Sequence, residues 1–255
     1  MSTLFLVSVA IVAAATATAV ALYFLAHRFQ LTRRMEMPPT TMGSVFGLAG
    51  TLFSMMVAFA IVDVWGTYDA TASIIAAEAN ALNNIEQMSR SFSVPVRRQV
   101  QEAVRNYATL VIEDEWPEMN RGLNRQRTDA LLVELWHIFT DMSDEESDHP
   151  VYSQSLRNLS DVSTNRRLRH LASTERVPRI MWMLVCCVAV VMFVLSFQFD
   201  IKEPRAHALI VGVIAIIVSL AMLLMATLDD PFGGLMALQP EPFQLVLQSL
   251  QRLEI

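Results

Sequence analysis

Chemistry needs reactive side chains at workable spacings, and this sequence offers few. Five histidines, His27, His137, His149, His170 and His207, are scattered over 255 residues with no common interval. No serine elbow, phosphate-binding loop or recurring metal-ligand spacing accompanies them. Cys186 and Cys187 are adjacent. Neighbours on a helix point about 100° apart, so the two thiols cannot readily pair, and they read as packing residues. Two acid-rich stretches hold hard oxygen ligands: "EDEWPEM" (Glu113, Asp114, Glu115, Glu118) and "DMSDEESD" (Asp141, Asp144, Glu145, Glu146, Asp148). Neither has the register of a calcium loop, and both read as solvated helix ends. The sequence therefore predicts no enzyme, no cofactor and no metal.

The remaining polar candidates are structural. "AAEANAL" sets Glu78 and Asn80 in an otherwise apolar helix face. A buried carboxylate needs a partner, and arginines of neighbouring helices are the expected source. Asp63 lies beside Trp65 and Tyr68, an aromatic pair that marks a membrane interface, so it is expected near water. The stretch "MATLDDPFGG" ends a long apolar run with Asp229, Asp230, Pro231, Phe232, Gly233 and Gly234. The acids cannot enter a bilayer core and the proline cannot continue a helix. A bare stop signal has no use for Phe232.

These residues are positioned by an all-α polytopic membrane protein. With 53% apolar residues, the chain concentrates its excess in four nearly uncharged runs, 4–26, 43–65, 177–199 and 207–228, each long enough to span a bilayer. The first has no basic leader and is followed by arginines, so it reads as a retained span rather than a signal peptide. The organisation expected is 1–66 for spans one and two, 67–176 for a helical extramembrane domain, 177–228 for spans three and four, and 229–255 for the corner and a short tail. Within the domain, apolar spacings of three and four run through Ile74–Phe92 and Val96–Val111, break at Pro117 and Gly122, and resume at Leu131–Phe139 and from Tyr152. No proline interrupts the chain from Gly43 to Phe92, so span two is expected to continue as one rod whose apolar face needs a partner. The net charge of −6 suggests no nucleic-acid partner.

Span two carries small residues, Gly43, Gly47, Gly50, Ser54 and Ala58, at near-helical spacing, a pattern that lets helices pack closely. Beside them Leu48, Leu52, Met55, Met56 and Phe59 could form an apolar constriction that gates by dewetting. The positive-inside count is level. Arg28, Arg33, Arg34, Lys202 and Arg205 stand in the short loops, against Arg166, Arg167, Arg169, Arg176 and Arg179 before span three. The greater weight of short loops tilts the middle domain away from the cytoplasm.

Read in order, "EANAL", "EDEWPEM" followed by Gly122, the arginines before "VPRIMW", and span four closing on "LDDPFGG" and "QPEPF" resemble the bestrophin-like family of bacterial membrane proteins. That family is more distantly similar to the bestrophin anion channels through "VWGTY" at the end of span two and "DPFGG" after span four. The resemblance implies a homo-oligomeric, pentameric ring in a bacterial inner membrane, a cytoplasmic helical domain, and span two lining an axis open to small inorganic anions. The neck would then be Gly47, Thr51 and Met55 or the adjacent Leu48, Leu52 and Phe59. Phe232 becomes a wedge holding the end of span four against the base of span two. Two features depart from bestrophins: glycine and threonine stand in one register of the neck, and "LMALQPEPF" replaces the acid run of a calcium clasp. The partners expected are the lipid bilayer, further copies of the chain and small inorganic anions. The alternative is a non-conducting scaffold or sensor whose helical domain binds a partner. A stator-like reading needs polar residues on spans three and four, where only Ser196, Gln198, Ser219 and Thr227 stand.

Overall fold

The computed structural model describes residues 2–28, 38–121, 129–143, 147–199, 201, 203–233 and 236–252. Arg33, Arg34, Gly122, Asp144, Glu145, Glu146, Lys202 and Gly234, singled out above, lie outside them. Every regular element among the described residues is helical. In chain order they are α1 (Ser2–Arg28), α2 (Pro39–Ser89), α3 (Val94–Leu110), a π turn (Val111–Glu115), α4 (Trp116–Asn120), α5 (Asp129–Thr140), α6 (Pro150–Thr174), α7 (Arg179–Ser196), α8 (Pro204–Leu228) and α9 (Glu241–Gln251). Span two does continue as one rod: α2 is 51 residues long. Proline enters only at its start, where the missing N–H costs nothing.

The chain divides into two compact units, residues 1–66 with 176–229, and residues 67–175 with 230–255. Among the described residues, four helical segments are long and apolar enough to cross a membrane. In the first unit α1 and α8 pack together at Gly212, where even a Cβ would make only ordinary contact, 3.7 Å from Val20 and 4.0 Å from Thr16. His207, at the start of α8, is buried and holds its Nε2 2.8 Å from the Ser196 carbonyl that ends α7. The Tyr23 ring covers that imidazole, with centroids 4.5 Å apart. The interior of this unit is Phe53 and Val57 of α2, Val185, Ala189 and Met192 of α7, and Val218 of α8. Most other large apolar side chains of these spans face outward, as a bilayer solvent permits.

The second unit has a conventional core of Ile75, Leu82 and Ile85 from α2, Val100, Val104 and Tyr107 from α3, Leu135 and Phe139 from α5, and Leu159 and Val162 from α6. The residues after Pro240 are more than a tail. They form α9, whose Phe243, Val246 and Leu250 are buried in the same core. Pro117 does not break the chain as its position suggested. It sits in the first turn of α4, where proline is tolerated, and the helical path reaches it through the π turn, closed by Trp116 N–H to the Val111 carbonyl.

Candidate functional site

α2 presents a continuous outward stripe in the first unit. Leu48, Leu52, Met55, Phe59 and Val62 recur at steps of three and four, with exposures from 50% at Leu52 to 71% at Val62. Gly47 and Thr51 flank this stripe and are also exposed. The Thr51 hydroxyl donates back to the Gly47 carbonyl at 2.9 Å, so it is satisfied without a water. Met56 is not on the stripe. It packs inward beside Phe53 and Val57, because one helical step turns it away from Met55. Gly50 faces Met192, whose Cε is 3.7 Å from the glycine's Cβ position, an ordinary contact. Gly43 and Gly47 meet nothing within 4 Å.

The corner after α8 assigns its two acids different work. Asp229 accepts the Val177 N–H at 2.6 Å, within the first unit. Asp230 begins a turn in the second unit: its Oδ1 accepts from Phe232 N at 3.3 Å and from Gly233 N at 3.1 Å. A Cβ on Gly233 would collide with the Asp230 carboxylate. Pro231 is buried, and its carbonyl accepts from Leu238 N at 2.8 Å, folding the segment back on itself. Phe232 is thereby fully buried. Its ring meets Trp116 edge to face, with centroids 5.5 Å apart. Trp116 in turn packs on Phe243 at 6.2 Å and donates Nε1–H to the Leu238 carbonyl at 3.1 Å. So the ring partner of Phe232 is Trp116, and both belong to the core that also takes in Ile75, Ala79 and Leu82 of α2.

Behind this aromatic group lies a buried ion network. Arg169 donates from Nε to Glu78 Oε2 at 2.8 Å and from Nη2 to Glu115 Oε2 at 3.0 Å. Arg166 Nη2 reaches Glu115 Oε1 at 3.0 Å. Two carboxylates thus face two guanidiniums. The Arg169 Cζ stands 5.7 Å above the Phe243 ring, and the Tyr107 hydroxyl donates to Glu78 Oε1 at 2.8 Å. The His170 Nε2 is 3.4 Å from Glu115 Oε2. Burial on its own would lower the Arg169 pKa, but the Glu78 carboxylate more than reverses this and holds it above the usual guanidinium range. Burial pushes the Tyr107 phenol well above its ordinary value, the Glu78 charge adds to the rise, and the two arginines oppose it.

Glu78 therefore has an arginine partner, whereas Asn80 is exposed and stands apart from the network. Glu115 corrects the reading of "EDEWPEM" as solvated: it is 1% exposed while Glu113 is exposed, because it lies four residues after Val111 on the buried face that Val104 and Tyr107 begin. The sequence counted Arg166 and Arg169 among the charges before span three and did not pair either with a particular acid. The overlooked signal was their spacing, since Leu159, Val162, Arg166, Arg169 and Ser173 continue one buried face of α6. Among the described residues, no group of three or more His, Cys, Asp or Glu could hold a metal ion.

No curated protein matches the sequence. Solved structures do. A bacterial Bestrophin homologue from Klebsiella pneumoniae, in one variant, aligns with a TM-score of 0.75 at 11% identity, covering 96% of this chain and 98% of that chain. A second variant gives 0.74 at 10% identity, with 97% and 98% covered. The structure of the same homologue phased on zinc gives 0.68 at 11%, with 97% and 96% covered. At such identity the likeness is one of fold. A family profile described as the Bestrophin-like domain matches residues 12–243, which takes in α2, the ion network and the corner after α8. The chain is a multi-pass membrane protein that belongs to the Bestrophin-like family.

Proposed function

We propose that this protein is a homo-oligomeric, channel-like pore for small inorganic ions, with α2 of each copy facing the axis. The observation that carries the reading is the outward stripe Leu48, Leu52, Met55, Phe59 and Val62 on the helix that also anchors the extramembrane core. Repeated around a ring, five large apolar side chains per copy would make a narrow dry neck, which passes ions only when it wets. Gly47 and Thr51, on the flank of the stripe, leave room for neighbouring copies to approach. Family membership supports this reading, and the resemblance to bestrophins implies a pentamer, anions as the permeant class, the inner membrane as the location and a cytoplasmic helical unit.

Purified protein in liposomes with an entrapped halide-sensitive dye tests conduction, and imaging of single particles tests the ring. We expect dye quenching above that of empty vesicles and a symmetric particle with an axial path. A monomer or dimer with no flux across a range of pH and calcium would sink the proposal.

A further inference from the structure

An apolar groove of about 540 Å³ runs between α1, α7 and α8 in the first unit. Ala15 and Ala19 of α1, Ala189 and Phe193 of α7, and Ala215 and Ser219 of α8 stand along it. Thr18 also lines it, but its hydroxyl is turned to the Ala14 carbonyl at 2.8 Å, so it asks for no polar occupant. The rims Leu22, Val190 and Val194 are at least 54% exposed, so the mouth opens outward. One end is closed by rings: Phe197 lines the groove and meets Tyr23 with centroids 6.0 Å apart, and Tyr23 covers His207. α1 and α8 run antiparallel, since Gly212 faces Val20 and Thr16 while His207 faces Tyr23. The end of α1 and the start of α8 therefore lie together beyond these rings and bring Arg28 and Arg205, both exposed. Among the described residues of these two helix ends, Glu203 is the only acid.

We infer that this groove holds one acyl chain of an anionic phospholipid, whose phosphate meets Arg28 and Arg205. Size decides between hydrocarbon and a helix of another copy. From Cys186 to Phe197, α7 rises about 16 Å, and a helix about 10 Å across laid along that length would need roughly 1,200 Å³. The groove offers less than half of this. A single hydrocarbon chain is narrow enough to lie within it, touching protein on three sides where bulk lipid would offer only other mobile tails. Those dispersion contacts are the gain over the surrounding bilayer. At the closed end, guanidiniums match phosphate oxygens in a two-pronged hydrogen bond, and basic residues at the bilayer surface favour an anionic head group. The site is complete within one chain and does not depend on conduction.

Native mass spectrometry of delipidated protein in detergent, titrated with dioleoyl phosphatidylglycerol or dioleoyl phosphatidylcholine, tests this. One adduct per chain is expected to outlast the others as collision energy rises, and phosphatidylglycerol should be held more tightly than phosphatidylcholine. Arg28→Gln and Arg205→Gln should each lower that preference roughly fivefold, the scale of one basic residue at an anionic surface. Ala19→Phe fills the groove from α1 and should cut retention of both lipids several-fold. Ser219→Leu does the same from α8, and melting curves show which of the two variants is folded. No lasting adduct on the wild type, or wild-type retention by a folded, groove-filled variant, overturns the inference. So does equal binding of the two lipids that neither arginine variant moves. A wild-type melting curve with a shifted elution volume in either groove-filled variant gives the groove to a second copy of the chain and overturns it as well.

Discussion

Arg169 bridges two acids that lie far apart in the sequence, Glu78 on α2 and Glu115 in the π turn, at 2.8 and 3.0 Å, with all three side chains shut away from solvent. Taking one partner away strands a buried charge, which costs more than the pair itself contributes. Arg169→Met is therefore expected to destabilise the helical unit by about 3–5 kcal/mol. Glu78→Gln should cost less, because an amide still accepts from Tyr107. The two together should cost less than the sum of the singles. Thermal unfolding in detergent reads all three.

Tyr107 makes the same network sensitive to alkali. Its phenol titrates higher in the folded chain than in the unfolded one, first because it is buried and next because Glu78 is beside it. Above pH of about 10 the unfolded chain loses this proton while the folded chain keeps it. The stabilisation is thus complete below about pH 10 and declines as pH rises toward the folded value. Tyr107→Phe should be less stable at neutral pH by about 1–2 kcal/mol, for its lost hydrogen bond to a charged group, yet lose less between pH 9 and about 11. Melting curves that run parallel to wild type over that range would refute the assignment.

Phe232 is a core residue of the helical unit, set against Trp116. Phe232→Ala should cost about 3–5 kcal/mol, the usual range for emptying a buried aromatic site. It should also change Trp116 fluorescence while the protein still inserts in the membrane. Wild-type stability with a shifted elution volume would instead assign the ring to an assembly contact.

Gly233 is held to a bare Cα by the Asp230 carboxylate behind it. Gly233→Ala should destabilise by about 1–3 kcal/mol, as overpacking does. Adding Asp230→Ala removes the obstruction together with the turn hydrogen bonds, so the double variant should lose less than the two singles combined. Strict additivity in the same melts would show that the two residues do not meet.

Leu52 lies mid-stripe on α2 and is half exposed. If the stripe is the dry neck, Leu52→Ser wets it. Dye-reported flux should rise several-fold, with no change in stability beyond about 0.5 kcal/mol, as for other exposed sites. Equal flux would place the constriction elsewhere.

Much of this architecture is written in single-residue patterns. The apolar runs marked the spans, and the unbroken stretch from Gly43 to Phe92 marked α2 as one rod, because helix propensity and hydropathy act locally. The ion network was hidden for the opposite reason. Arg169 looks like any basic residue near a membrane, and only the fold brings it to Glu78, 91 positions earlier. α9 escaped notice because a short amphipathic segment after a proline has nothing to bury itself against until α3 and Trp116 are in place. For the α2 stripe, periodicity located the face and left open which register points outward. Met56 shows how far one residue moves that answer.

The π turn at Val111–Glu115 has an effect on phase. A turn closed from residue i to i−5 holds about one residue more than an α turn, so everything beyond it is rotated back by about 100° relative to a straight continuation of α3. Val100, Val104 and Tyr107 already face the core. The lag returns Trp116 and Met119 to that side, beside Glu115. A relative with one residue fewer in this turn would carry the same side chains out of step, and could hold this core only by moving them one place along the chain.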